Sequence, residues 1–156
     1  MAAFTDKNDR RWQVDVTTTD IKNVRSLLVF DLLDDDLGGM VGRLAEDMVL
    51  VVDVVFLLCR EQAEKLGISD ADFGRSISGD VLSAAADALI EAIVQYLPHK
   101  KKRELLARLW AAILEGFDKA ATKALEIVTS GEMERAIDAS LEAAMMEAKE
   151  NLTLGK

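Results

Sequence analysis

The chain is poor in the residues that interrupt regular structure or carry chemistry. Among 156 residues there are 1 proline, 9 glycines, 1 cysteine and 1 histidine. So few prolines and glycines favour long helices over a disordered chain or a β protein with many turns. A lone cysteine excludes an intramolecular disulfide. Because Cys59 lies within the apolar run 48–59, we expect a small core residue in a reducing compartment rather than a reactive thiol.

Residue sets typical of catalytic and metal sites are scarce. A Ser-His-Asp or Cys-His site would have to include His99, which opens the basic run 99–103 and is more simply interpreted as a solvated histidine at a helix end. The aspartates 34–36 lack the alternating ligand spacing of a calcium loop. The glycines of segment 38–42 match neither a phosphate loop nor a dinucleotide fingerprint and predict a flexible turn. We therefore expect no enzyme activity, no metal and no cofactor.

Charge and hydropathy narrow the range of partners. The net charge is -9, and it is uneven: residues 1–98 carry 18 acidic and 9 basic side chains, whereas residues 99–156 carry 10 of each. An acidic body argues against binding to nucleic acid or to an anionic membrane. The apolar run 48–59 contains Asp53 and is shorter than the roughly 20 residues that cross a bilayer. With no secretion signal at its start, the protein is expected in the cytoplasm.

The N-terminal segment carries a strand signal that changes into a helix signal. Trp12 and the valines at the next two alternate positions predict a strand with one exposed face. A second strand around 3–5 and turn-forming residues at 6–9 complete a predicted β-hairpin. Thr17, followed three residues later by Asp20, predicts the start of a helix through a capping box.

The rest of the chain has helical periodicity. Segment 49–65 is apolar nearly all round, which predicts a central helix that ends at Gly67. Segment 80–97 gives the cleanest amphipathic pattern, and a further long stripe runs through 106–128. A turn near 129–131 precedes the last helix. We therefore predict a mainly α fold: a short N-terminal β-hairpin followed by a bundle of five or six helices.

The last two helices are rich in alanine and methionine and suggest a separate role. We expect a hairpin plus helical body at 1–98 and long C-terminal helices at 99–156, either in the same domain or as an appendage that forms a projecting helical hairpin. The last helix carries an apolar stripe that could bind a partner, since methionine adapts to different surfaces, or could pack on the preceding helix. The candidate partner-binding residues are Met133, Ile137, Leu141 and Met145.

Two series of short motifs carry a family resemblance. The first contains Phe4-Thr5-Asp6, Arg11-Trp12, Ile21-Lys22-Asn23-Val24-Arg25 and Asp31-Leu32-Leu33. The second contains Leu58-Cys59-Arg60-Glu61-Gln62-Ala63, Gly67-Ile68-Ser69-Asp70 and Asp72-Phe73-Gly74-Arg75. Over roughly residues 3–115 the chain resembles the tail assembly chaperones of tailed phages and prophages, whereas residues 116–156 could be a lineage-specific extension.

The resemblance implies a small, mostly helical protein without enzyme activity in the cytoplasm of a bacterial host cell. Such chaperones coat the tape measure protein and help to recruit tail tube subunits during tail assembly. The implied partners are therefore the tape measure protein and the tail tube protein, and self-association stays open. Two alternatives also stay open: a structural or adaptor protein of a phage particle, and a small regulatory binding module.

Overall fold

The computed structural model describes residues 1–155 and has a mainly α fold with an N-terminal β-hairpin and a helical bundle, as predicted. Its elements are β1 (Ala2–Thr5), β2 (Arg11–Val14), α1 (Thr18–Leu28), α2 (Leu37–Glu46), α3 (Met48–Leu58), α4 (Arg60–Leu66), α5 (Asp70–Ser76), α6 (Asp80–Tyr96), α7 (Lys100–Thr129) and α8 (Glu132–Leu154). The chain divides into two units, Met1–Ile113 and Leu114–Lys156.

The described residues form eight helices, where the sequence led us to expect five or six. Segment 49–65, expected as one helix, is divided at Cys59, whose backbone leaves helical geometry at φ -95° and ψ 6°. Hydrogen bonds of 2.9 Å from Cys59 N–H to the Val55 carbonyl and from Ala63 N–H to the Cys59 carbonyl bridge the division. The break is therefore a local kink, which hydrophobic periodicity does not reveal.

The prediction of a flexible turn at 38–42 is wrong, because these glycines lie inside α2. Asp36 caps the start of the helix: its Oδ1 accepts a hydrogen bond of 3.0 Å from the N–H of Gly39. A Cβ on Gly39 would come within 2.4 Å of the Asp36 carboxylate, so a larger residue there would require the Asp36 side chain to shift. The predicted caps at Thr17 and Gly67 are confirmed, the first as a capping box and the second as a left-handed residue at φ 66°.

The hairpin forms part of the core. β1 and β2 pair antiparallel with Phe4 opposite Trp12, and β1 lies against α6. Trp12 is fully buried, and its ring meets Phe73 edge to face with centroids 4.9 Å apart. At the outer edge of β2, the side-chain amide of Gln62 replaces a third strand. It accepts from the N–H of Gln13 at 3.0 Å and donates to the Gln13 carbonyl at 2.7 Å.

The hairpin turn is built around the buried carboxylate of Asp6. Its Oδ2 accepts hydrogen bonds from Trp12 Nε1 at 2.9 Å and from Arg10 Nε at 2.7 Å, and its Oδ1 accepts from the backbone N–H of Asn8 at 2.8 Å. Burial raises the pKa of Asp6, but these hydrogen bonds outweigh burial and lower the pKa from 3.8 to about 2. The charged carboxylate therefore links the turn to the core.

Helix α3 is the centre of the first unit, as the apolar composition of 49–65 predicts. It contacts α1, α2, α4, α5 and α6, and its Val51, Val54 and Val55 are fully buried. A helix with neighbours on most sides needs apolar residues all round, which explains its weak amphipathicity.

The first unit includes the beginning of α7. Leu106 is fully buried, and Trp110 donates its indole N–H to Asp87 on α6 at 2.8 Å. Arg103 donates to the Leu97 carbonyl at 2.8 Å and so satisfies the end of α6. From the sequence we expected the body to end at residue 98 and the C-terminal helices to begin at residue 99. In the structure the boundary between the two units lies between Ile113 and Leu114, because these contacts hold the first turns of α7 in the body.

Candidate partner-binding face

Helix α8 begins after a turn at Ser130 and Gly131, which confirms the turn expected near 129–131. Gly131 has a φ of 73°, a left-handed conformation that glycine adopts without steric cost. From there α8 runs for 23 residues, Glu132–Leu154. With about 100° per residue, side chains four positions apart lie along one side of a helix. We call the side that carries Met133, Ile137, Leu141 and Met145 the α8 face.

The α8 face is exposed. Its four side chains are exposed to 48%, 53%, 57% and 62% in sequence order, and no described side chain of α8 is buried. The first three line one shallow depression together with Ala136 and Ser140. Met145 lies one turn further along the helix. The alternative that this stripe is covered by packing on the preceding helix is therefore not what the structure shows.

Helix α7 also exposes apolar side chains where it belongs to the second unit. Leu114, Phe117, Leu125 and Val128 are 41% to 68% exposed. No sequence pattern separates Phe117 and Val128 from the buried Leu106, because the three lie in one continuous helical stripe. Since periodicity reports which residues share a face and not what covers it, these residues were missed as candidates.

A row of carboxylates runs beside the α8 face. It consists of Glu134, Asp138 and Glu142, each one residue after an apolar member of the face, and we call it the acidic row. Helix α8 has six acidic and two basic side chains, and none of the six acids forms an ion pair with a residue that the structure describes. The face is thus apolar with a negative flank.

A second surface feature lies on the body, where α3, α5 and α6 enclose a groove of about 410 Å³. Its apolar lining residues are Met48, Val49, Val52, Ile77 and Leu82. Asp53 and Asp70 add two carboxylates to the lining. Burial, followed by repulsion from Asp70 and Asp47, raises the pKa of Asp53. Apolar walls with negative charge suit an aliphatic cationic side chain, and no sequence pattern points to this groove.

The lone cysteine and the lone histidine lie in surroundings unsuited to catalysis. Cys59 is buried, and burial, with smaller contributions from Asp15 and Asp20, raises the pKa of its thiol to about 12. A thiol with so high a pKa is a poor nucleophile at neutral pH. His99 is exposed, and its carbonyl accepts the N–H of Arg103 at the start of α7. Among residues 1–155, neither side chain has a hydrogen-bond partner that would activate a nucleophile or a general base.

Within residues 1–155, histidine, cysteine and acidic side chains form no group of three or more that could hold a metal ion. None of the described helices combines the length and the apolar character that crossing a membrane requires. The chain matches no protein-family model, no curated protein and no solved structure.

Proposed function

We propose that this protein is a phage tail assembly chaperone without enzyme activity, which binds apolar helical segments of the tape measure protein through the α8 face and helps to recruit tail tube subunits. The observation that supports this proposal is the exposure of four large apolar side chains along one side of α8. Exposed apolar surface of this kind marks interaction sites. Anchors spaced by four residues suit pairing with another helix.

A chaperone of this kind works by covering the apolar surface of its client until the tail assembles. A long helical client exposes apolar stripes that associate with one another in water. Helix α8 covers such a stripe with its own apolar face, while the acidic side chains of the protein, whose net charge is -9, keep the complexes apart by repulsion.

Co-expression with the tape measure protein of the same phage tests this function. The wild-type chain should move the tape measure protein from the pellet into the soluble fraction. The double variant Ile137→Glu/Leu141→Glu should abolish this effect, because each carboxylate would have to be desolvated against the client. The matched control is Ala139→Glu/Ala143→Glu, which adds the same charges to exposed positions on the other side of α8.

Both double variants alter only exposed positions, so circular dichroism should show an unchanged body. A tape measure protein that stays insoluble with the wild-type chain contradicts the function. Equal solubilisation by both double variants contradicts the assignment to the α8 face. Mass spectrometry of purified particles separates the two phage roles, since a chaperone leaves the particle and a structural or adaptor protein stays.

A further inference from the structure

We propose that the α8 face is built for a cationic amphipathic helix, one that carries a row of lysine or arginine side chains beside its apolar residues. The inference rests on the proposed function only for the identity of the client. The positive charge of the client follows from the side chains of α8 itself.

The arrangement consists of two parallel rows with the same spacing. The apolar residues Met133, Ile137 and Leu141 are each followed by a member of the acidic row. Neighbouring residues differ by about 100° around a helix, so one carboxylate of the acidic row lies beside each of these three apolar residues. A partner helix whose apolar side chains contact the α8 face brings its flanking residues next to Asp138 and Glu142. The charge of those flanking residues determines whether the acidic row attracts or repels the partner helix.

In the single chain the carboxylates of the acidic row repel one another. Glu134, Asp138 and Glu142 are spaced by four residues, which makes two successive pairs of like charge, and such pairs destabilise a helix. The basic side chains of α8, Arg135 and Lys149, form no ion pair with these carboxylates. A cationic partner turns the repulsion into attraction across the interface, and partial burial strengthens that attraction.

The same charges argue against an antiparallel second copy of this chain as the occupant. Antiparallel pairing of two α8 helices through their apolar faces would place one acidic row near the other, and charges beside the contact of two helices determine which partners pair. An acidic client helix would meet the same repulsion. The acidic row therefore selects a client with basic flanks.

Two synthetic peptides provide the probe. Both are about 20 residues long with leucine at helical spacing, and one carries lysine wherever the other carries glutamate. Fluorescence anisotropy of the labelled peptides measures binding to the full chain. We expect the lysine peptide to bind and the glutamate peptide not to bind. The affinity for the lysine peptide should fall between about 50 mM and about 500 mM NaCl, because salt screens exposed charges.

A pair of matched variants shows whether the acidic row is responsible. Asp138→Asn/Glu142→Gln removes two charges beside the α8 face, and Glu132→Gln/Glu150→Gln removes two from the other side of the same helix. The first pair should weaken binding of the lysine peptide about three- to tenfold, and the second less than about twofold. Ile137→Glu/Leu141→Glu should abolish binding.

Three results would overturn the inference: equal binding of the two peptides, equal effects of the two charge-neutral pairs, or self-association of the wild-type chain that Ile137→Glu/Leu141→Glu abolishes. Solubilisation of the tape measure protein without binding of the lysine peptide would overturn this inference and leave the proposed function intact. Binding of the lysine peptide without solubilisation would overturn the proposed function alone.

Discussion

Replacement of Trp12 by alanine tests whether the hairpin is an integral part of the core. Trp12 is fully buried, contacts Phe73 edge to face and donates its indole N–H to the carboxylate of Asp6. A two-stranded hairpin is marginal in water by itself, so these contacts must supply much of its stability. Trp12→Ala removes the ring and the hydrogen bond together, whereas Trp12→Phe removes the hydrogen bond and keeps most of the ring.

The expected loss of stability in the two variants follows from two contributions, the buried ring and its hydrogen bond. Truncation of a buried tryptophan to alanine costs about 3–5 kcal/mol, and loss of a hydrogen bond to a charged group costs about 1.5–3 kcal/mol. Because the two overlap, we expect Trp12→Ala to lower the free energy of unfolding by at least about 4 kcal/mol and Trp12→Phe by about 2 kcal/mol. For a chain of this size, 4 kcal/mol corresponds to a decrease in Tm of roughly 10–15 °C.

Urea denaturation followed by far-UV circular dichroism gives the free energies, and the fluorescence of Trp110 reports on the body independently. A Trp12→Ala variant within about 1 kcal/mol of the wild type would refute the placement of the hairpin in the core. If Trp12→Phe proves as costly as Trp12→Ala, the hydrogen bond to Asp6 and not the ring holds the hairpin.

Two further predictions concern the hairpin. The pKa of Asp6 is about 2 in the folded chain and 3.8 in the reference state, so its carboxylate contributes stability above about pH 4 that is lost as the pH falls through 2. In denaturation series at different pH the wild type should lose roughly 2 kcal/mol more than Asp6→Asn over this window. Gln62→Ala should cost about 1 kcal/mol in thermal melts and promote association on gel filtration, because the edge of β2 loses both hydrogen bonds. Unchanged melting and elution would contradict the edge-covering role of Gln62.

The sequence by itself determined the features that depend on neighbouring residues. Alternation around Trp12 predicted the hairpin, the pair Thr17 and Asp20 predicted the start of α1, and Gly67 predicted the end of α4. Each depends on backbone geometry and on groups a few positions apart, so the responsible chemistry can be read from the sequence. The apolar composition of 49–65 likewise predicted a central position, because only a helix with neighbours on most sides remains apolar all round.

Tertiary structure alone decided which helical stripes are covered. Leu106 and Phe117 belong to the same stripe of α7, yet the first is fully buried and the second is half exposed. The α8 face satisfied the sequence pattern of a helix packed on its neighbour and also that of a binding face. Helical periodicity places side chains on a common side, whereas burial depends on whether residues distant in the sequence pack against that side. That dependence separates α6, whose Leu89 and Ile93 are fully buried, from α8 with its exposed face.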